Sequence, residues 1–543
     1  MKPTLKIIPL GGLGEIGKNM TVLEYGRNMI IVDCGLMFPE SDMYGIDLVL
    51  PQFDYVVKNQ DRLRGIVLTH GHMDHIGGLP YLMRQIKSTI YGTSLTVGMV
   101  KRQLEEAKVV QQAKLKVVEE TSSFQLGPFN ISLFPVAHSI PGSVGLVIDT
   151  PAGAVVHTGD YKLDETPAGG RTTDLNRLRE LTPNGVLALL ADSTNADRPG
   201  STPTEKVVEE ELDRLFAEAR TGRIIIATFA SLLARLQAIM DIAQKHGRKV
   251  ALTGRSLEQN VELARDLGYL NIPDGLLVDI TARVPDKKMV ILSTGSQGEP
   301  KSALNRMAQG EHRQVNVKRG DTIIISGGTI PGNEQDVGRM LNKLFEQGAN
   351  VVYGNLAKVH VSGHGSRDEM RAMIEAVQPK YFIPVHGEVR HLHLHAGIAH
   401  AAGVAAENTF ILGNGAVWVS DGVKARIEKP VDARSVLVDG NLIGEIGAVV
   451  LEDRQRLSQD GFIVALIPVT ANNKLAGEPE IISRGFVAGD RSRQLLQAAQ
   501  REIKQQYKRG KAQGGDSIRE ALQNFFYRET HSRPVILPSF IRV

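Results

Sequence analysis

Residues 70–75 read His-Gly-His-Met-Asp-His, placing His70, His72, Asp74 and His75, all able to ligate a metal, within six positions. Neutral imidazoles and a carboxylate suit zinc or manganese without any thiolate. The run follows the apolar stretch Gly-Ile-Val-Leu-Thr and precedes Gly77-Gly78. It therefore sits in a turn at a strand's C-terminal end, where alternate side chains can be aimed at one point. Four ligands so close could fill one site or, split in pairs, begin two neighbouring ones. Three later residues share the context of an apolar β-run meeting a small-residue turn: His138 after ISLFPVA, Asp160 after GAVVHTG, and His386 after YFIPV. Ser362, His364 and Ser366 alternate along another glycine-rich turn, where hydroxyls, backbone N–H groups and an imidazole could cradle a phosphate.

The elements that must carry these residues come in bunches. Short β-rich runs (LKIIPL, MTVLEY, NMIIVDCG, GIVLTH) are followed by helical stretches from about Tyr81 and over GMVKRQLEEAKVVQQ, and strands resume at ISLFPVAH, VGLVIDT and GAVVHTGD. After Asp192 the pattern changes to helices alternating with buried strands, EKVVEEELDRLFAEA with RIIIATF, KVALTG, MVILSTG and DTIIISGG, which predicts a doubly wound, mostly parallel α/β domain. The chemistry-bearing turns then return at VHVSGHGSRDE and YFIPVHGE, so that domain is expected as an insertion between two halves of the first. The expected division is 1–195 and 351–432 for the split domain, 196–350 for the insertion, 433–455 as a linker and 456–543 as a small α+β C-terminal domain. Beyond about Ala433, VLVDG, AVVLED and FIVALIPV read as strands, and a basic helix follows.

At 543 residues, 42% hydrophobic and 23% charged, the chain has the composition of a globular protein of several domains. No segment approaches ~20 uninterrupted apolar residues, so no membrane span is expected. Cys34 is the single cysteine, which excludes a disulfide framework, leaves metal binding to His and carboxylates, and suits the cytoplasm. The net charge of +3 permits an anionic partner without requiring one. Gly12-Leu13-Gly14-Glu15-Ile16-Gly17 matches the dinucleotide fingerprint, with Asp33 near the distance of a ribose-binding acid, but the residues that follow are β-rich where the fingerprint must open a helix. These glycines are expected to shape a hairpin near the metal edge instead. Gly327, Gly328, Gly332 and Asn333 form a second glycine loop ahead of a helix. His391, His393 and His395 fall in a helical stretch in which His391 and His395 share a face, expected to be solvated. Arg491, Arg493, Arg501, Lys504, Lys508, Arg509 and Lys511 make a basic stretch with few acids.

HGHMDH with the later His, Asp and His resembles the metallo-β-lactamase superfamily, an αββα sandwich with a dinuclear site along one edge. The resemblance implies that His70, His72 and His138 hold one divalent metal and Asp74, His75 and His386 a second, with Asp160 bridging. Zn2+ is the expected ion, Mn2+ or Mg2+ the alternatives. Two metals ~3.5–4 Å apart would ready a shared hydroxide for in-line attack at phosphorus. Asp192 in LLADSTNA, His364 in VSGHGSRDE and His386 in PVHGE resemble three motifs of the β-CASP nucleases. That family casts His364, Asp192 and Asp74 as catalytic, His364 protonating the leaving oxygen and Asp192 orienting it. Within β-CASP proteins the chain is most similar to the bacterial ribonuclease J family, through GGLGEIGKNM, DCGLMFPE, LTHGHMDHIGGLPYL, HTGDYK, ADSTNA, TFAS, STGSQGEP, IPGNE, SGHGSRDE, IPVHGE, ISRGF and RPVILPSFIRV.

The likeness implies a metal-dependent ribonuclease with 5′→3′ exonuclease and endonuclease activity in RNA processing and decay, working as a homodimer or homotetramer. A DNA-processing β-CASP nuclease and a non-catalytic nucleic-acid-binding scaffold are the alternatives. The family pattern is broken after Phe229-Ala230-Ser231, where an Asn and a His-Arg are usual and Leu232-Leu233-Ala234-Arg235 stands instead. Two polar groups that would touch substrate are thereby absent.

Overall fold

The computed structural model describes residues 3–40, 42–167, 171–330, 332–486, 490–511 and 514–543. They form two compact units, Met1–Phe38 with Val49–Val436, and Pro39–Leu48 with Leu437–Val543. In the first unit an eight-stranded and a six-stranded sheet pack face to face. Leu5, Ile7, Leu23, Ile30 and Val67 of one sheet interdigitate with Ile131, Leu146, Val155, Leu190 and Ile383 of the other. Alternate residues of the six-stranded sheet, among them Phe134, Val147, Val156, Leu189 and Phe382, bury their other face under helices Arg367–Val377 and Val389–Ala401. Helix Ser94–Glu106 packs on two strands of the eight-stranded sheet. This is the αββα sandwich that the resemblance implied.

The direction of the strands decides where the chemistry falls. Strands Gly153–His157, Ala188–Asp192 and Tyr381–Val385 are adjacent and parallel, so their C-terminal ends, and with them Asp160, Asp192 and His386, share one edge. Phe129–Pro135 runs the same way through two antiparallel pairings, bringing His138 to that edge. In the other sheet Asn28–Val32 and Leu63–Val67 are parallel, which sets Asp33 beside Thr69 and the 70–75 loop. The glycine-rich segment 12–17 does not open a helix. It belongs to the loop between Leu5–Gly11 and Met20–Tyr25, and Leu13–Gly14 pairs with Gly387–Glu388, next to His386.

Residues 206–352 hold a five-stranded sheet in which all four pairings are parallel, in the order Lys249–Thr253, Met289–Ser293, Ile224–Thr228, Thr322–Ser326, Asn350–Val352. Its strands read as continuous apolar runs because both faces are covered. Ile224, Ile226 and Leu292 pack under helices Lys206–Glu218, Leu233–Lys245 and Arg255–Asp266, while Ile225, Ile291 and Ile323 pack under Ala303–Ala308 and Glu334–Glu346. The departure from the family pattern lies in this domain. Leu232 and Leu233 are buried, and Arg235 beyond them is buried too, its guanidinium meeting Glu205 through Nη2 at 2.6 and 2.9 Å. Nη1 of Arg235 also donates to the Ser326 carbonyl at 3.0 Å.

In the second unit Glu480–Arg484, Phe462–Val469 and Val535–Arg542 form a sheet under helices Asp490–Lys508 and Gly515–Thr530. AVVLED is not a strand: it opens helix Ala448–Asp460, which also runs through the boundary expected at 455. The apolar Ala-Val-Val-Leu is continued by EDRQRLSQ, good helix formers that carry the preceding residues with them. The basic stretch is helical as far as Lys508, with Arg493, Arg501, Lys508, Arg509 and Lys511 exposed; the side chain of Arg491 lies outside the described residues. Lys504 is paired with Glu478.

Removing Glu205 leaves the Arg235 charge buried without its carboxylate. Glu205→Ala is expected to cost about 3–5 kcal/mol, the scale for breaking a buried ion pair. Equilibrium denaturation checks this, and a loss below about 1 kcal/mol would mean that the Ser326 carbonyl and neighbouring groups suffice.

Candidate metal centre

His70, His72, His138 and Asp160 bring one ligand atom each into a group within 4.8 Å, as do Asp74, His75, Asp160 and His386, so Asp160 belongs to both. In the first group His72 offers Nδ1, which lies 3.1 Å from Nε2 of His70 and 3.1 Å from Nε2 of His138. Asp160 Oδ2 lies 3.5 Å from His70 Nε2, 3.7 Å from His138 Nε2 and 3.3 Å from His75 Nε2. In the second group His386 Nε2 is 3.2 Å from Asp74 Oδ2 and 3.8 Å from Asp160 Oδ1. A tetrahedral ion with bonds of ~2.0–2.1 Å spaces its ligand atoms ~3.4 Å apart. Ligand atoms at these separations fit such an ion in both groups, and the Asp160 carboxylate faces both.

The electrostatics call for positive charge at the same place. Asp160 is 2% exposed, and a buried carboxylate must be met by a cation. Burial raises the Asp74 and Asp160 carboxyls, yet the imidazoles facing them outweigh it and hold both below the usual range. Burial depresses His75 and His386, but the surrounding carboxylates overcome it and hold both well above an ordinary histidine. Burial wins at His70, which is held well below the ordinary value, at His72, lowered to about 4, and at His138, lowered to about 3. Those three present neutral imidazoles, the form that ligates. A divalent cation would take over the compensating role that protons on His75 and His386 play beside the acids.

Each ring is aimed by a partner on its far nitrogen. His138 Nδ1 donates to the Gly363 carbonyl at 2.8 Å. His386 Nδ1 meets the Thr194 hydroxyl at 2.5 Å. His75 Nδ1 donates to Asp33 at 2.8 Å, and Asp33 in turn accepts from the backbone N–H and hydroxyl of Thr69, each at 2.8 Å. Asn19 donates to the Asp74 carbonyl at 3.1 Å. Asp33, Thr69, Asn19 and Thr194 were not marked as functional from the sequence, and Asp33 was weighed only as a ribose acid. Its position after the β-run IIV matches the context of Asp160, which is the signal that would have found it.

His364 and Asp192 stand at the rim of the same cluster. His364 Nδ1 lies 2.7 Å from Asp192 Oδ2, and its Nε2 lies 3.9 Å from Asp160. The other oxygen of Asp192 accepts from the backbone N–H and hydroxyl of Thr194, at 2.9 and 2.7 Å. One carboxylate thus both caps its own turn and orients the histidine. With Asp160 and His386 this pair forms a third group of converging ligand atoms. The turn carrying His364 is pinned from below. Asn195 donates to Ser362 and to the His364 carbonyl, both at 2.9 Å, and buried Glu369 accepts from the N–H groups of Leu163, Thr202 and Ser366. Ser366 is itself buried, capping helix Arg367–Val377 and meeting the Thr202 hydroxyl at 2.9 Å, whereas Ser362 is partly exposed.

The histidines expected on a solvated helix face are placed otherwise. His391 and His395 do share a face of Val389–Ala401, but it is the buried one, and only His393 is exposed. His395 Nδ1 meets the Ser193 hydroxyl at 3.0 Å and its ring stands edge-on to Phe382. His391 lies 3.5 Å from Asp197. Shared facing followed from helical spacing, whereas the side turned to the core depended on the strand Tyr381–Val385 beneath.

Comparison with known proteins bears on this geometry. Family models match residues 13–190 (metallo-beta-lactamase superfamily), 221–344 (ribonuclease J, beta-CASP domain), 349–411 (Zn-dependent metallo-hydrolase RNA specificity domain) and 449–543 (ribonuclease J C-terminal domain). "Ribonuclease J 1" of Streptococcus pyogenes serotype M3 is 42% identical over 99% of this chain and 98% of its own length. "Ribonuclease J2" of Bacillus subtilis is 38% identical over 99% of each. The crystal structure of a protein of unknown function from Enterococcus faecalis V583 superposes with a TM-score of 0.53 at 14% identity, covering 77% of this chain and 100% of that one, which speaks to fold alone. With likeness at this level running from end to end, and a β-CASP domain inserted in the metallo-β-lactamase fold, the chain belongs to the ribonuclease J family.

Proposed function

We propose that this chain is a metal-dependent ribonuclease, hydrolysing RNA phosphodiester bonds as a 5′→3′ exonuclease and endonuclease, with two divalent cations per subunit. The observation that carries the proposal is the convergence of six imidazoles and three carboxylates from both sheets on one edge of the sandwich, with Asp160 common to every group. His70, His72 and His138 would hold one cation, Asp74, His75 and His386 the other, and Asp160 would lie between them. When bound, the cations supply Lewis-acid activation of the attacking water and neutralise charge on the phosphate. Zinc fits the nitrogen-rich ligand set best; manganese and magnesium are the alternatives. RNA as the substrate is supported by the RNA specificity domain match and by the ribonuclease relatives.

The chain's own proton chemistry centres on His364. Its Nδ1–H is committed to Asp192, which leaves Nε2 facing the cluster as the atom that protonates the leaving oxygen. Burial lowers the pKa of this imidazole, but Asp192 and Asp160 outweigh it, so the ring is held in its charged, donating form above the ordinary histidine value. Ser362 and Ser366 act on substrate through the shape of the turn, because the Ser366 hydroxyl is engaged in the helix cap.

Matched RNA and DNA oligonucleotides test the substrate. Metal-stripped chain should cleave neither, and zinc or manganese should restore RNA cleavage. Efficient cleavage of DNA with RNA untouched would overturn the substrate assignment, and full activity in chelator would overturn the chemistry. Asp74→Ala and His72→Ala should lose both metal uptake, read by elemental analysis, and cleavage.

His364→Ala should keep its metals and lose roughly 10²–10⁴-fold in kcat, the range for a positioned general acid. The donor must be protonated, so activity should be present below the His364 pKa and fall as pH rises through it. Asp192→Asn removes the charge that raises this pKa, and the alkaline decline should therefore begin at lower pH. An unmoved pH profile would remove the pair from proton transfer.

A further inference from the structure

A cavity of about 560 Å³ lies away from the metal cluster, in the inserted domain. It opens where strands Lys249–Thr253 and Met289–Ser293 end, the edge of a parallel sheet at which α/β domains bind ligands. Its walls combine Arg255, Lys301 and Arg306 with the hydroxyls of Thr253, Ser256 and Thr294, against the single acid Glu106.

These groups are poised for an anion. Glu106 is already engaged by Arg255 at 3.1 Å and by Gln259 at 3.0 Å. Among the described residues Lys301 pairs with no carboxylate, and the Arg306 guanidinium makes only a long hydrogen bond of 3.4 Å to the Glu311 carbonyl. His312 accepts the Val315 N–H on Nδ1 at 3.0 Å, so its Nε2 carries a proton and donates to the Thr253 hydroxyl at 3.1 Å. That leaves the Thr253 hydroxyl hydrogen free to turn toward the cavity. Helix Arg255–Asp266 begins at Gly254 with no side-chain cap, so its first N–H groups add to the donors. Gly254 has φ +118, and a Cβ there would sit 2.6 Å from the Thr294 hydroxyl, so the strand ends close together only because no side chain intervenes. No Phe, Tyr or Trp lines the space, and the one ring present, His312, is tied through both nitrogens to Thr253 and Val315.

One helix links this cavity to the metal loop. Met99 of Ser94–Glu106 packs on Gly71, between His70 and His72, and Glu106 at the other end forms the cavity wall. Seven residue steps along the helix separate the two, about 10 Å along the axis.

We propose that this cavity is an RNA-backbone exosite, binding the phosphates of a strand whose scissile bond lies at the metal centre, without reading its bases. The inference rests on the ribonuclease assignment above. Cations without acidic partners, hydroxyl donors and the lack of any Phe, Tyr or Trp suit the sequence-independent contacts that position a strand. A free nucleotide presents the same phosphate oxygens, and the experiment separates the two sources.

The double variant Lys301→Ala/Arg306→Ala removes two solvent-accessible cations that take no part in the metal cluster. Metal-loaded full-length chain is titrated with a fluorescent 20-nucleotide phosphorothioate RNA, which resists cleavage. The variant should bind it about tenfold more weakly, and its log Kd against log salt should be shallower by ~1.4, two contacts at ~0.7 each. Its kcat on the same sequence with ordinary linkages, and its binding of a dinucleotide whose single phosphodiester occupies the metal centre, should match the parent. Lys301→Glu serves as a second variant and should exceed the effect of Lys301→Ala. Equal affinity and equal salt slope for the long RNA would overturn the exosite while leaving the ribonuclease assignment intact. ATP binding that the double variant abolishes, with RNA binding unaltered, would assign the cavity to free nucleotides and overturn it as well. A parent chain that binds no RNA would overturn both.

Discussion

Asp160 is a carboxylate removed from water at the meeting point of five imidazoles, and the rest of the site answers to it. Burial by itself would neutralise such a group; the rings around it keep it ionised, and three of them, His75, His364 and His386, carry raised pKa values in exchange. A cluster in that condition is a receptor for positive charge. The sheet makes the arrangement possible: three parallel neighbours end together, so residues distant in the chain reach one edge without a long loop. Asp33 and His386 take left-handed backbone conformations, with φ of 59 and 53, a local cost of order 1 kcal/mol or more each. The hydrogen bond that Asp33 accepts from Thr69 and the one that His386 Nδ1 makes to the Thr194 hydroxyl hold them there.

The inserted domain contributes in a different way. Its parallel sheet is covered on both faces, and its C-terminal edge supplies loops rather than metal ligands. At the point where the family pattern is broken, Leu232 and Leu233 turn inward and Arg235 is tied to Glu205, so this stretch serves packing. The neighbouring strand ends carry the exposed cations instead. Within one chain, the sandwich concentrates buried charge for bond breaking, and the insertion spreads accessible charge for holding a strand.

Several features were visible before any coordinates. HGHMDH and the shared strand-end context of His138, Asp160 and His386 picked out candidate ligands that the fold brings together. Other features were not. Asp33 enters the sequence reading only beside a glycine fingerprint that opens no helix, and nothing local ties it to His75. Helical spacing paired His391 with His395 but could not say that a strand would lie under that face. AVVLED read as a strand because an apolar run of that length is ambiguous until its continuation is weighed.

Local sequence determined which residue types were available and in what immediate setting: imidazoles and acids placed after β-runs, glycines where the backbone must turn, apolar periods that specify strands and helices. These are short-range properties, set by sterics and by the alternation of side chains along an element. The pairing of His72 Nδ1 with two Nε2 atoms, the ranking of neutral against charged imidazoles, the splitting of Asp192 between Thr194 and His364, and the cavity beside Gly254 were decided only by the tertiary fold. Each depends on distance and burial between residues tens to hundreds of positions apart, and electrostatic energy follows separation in space, not in sequence.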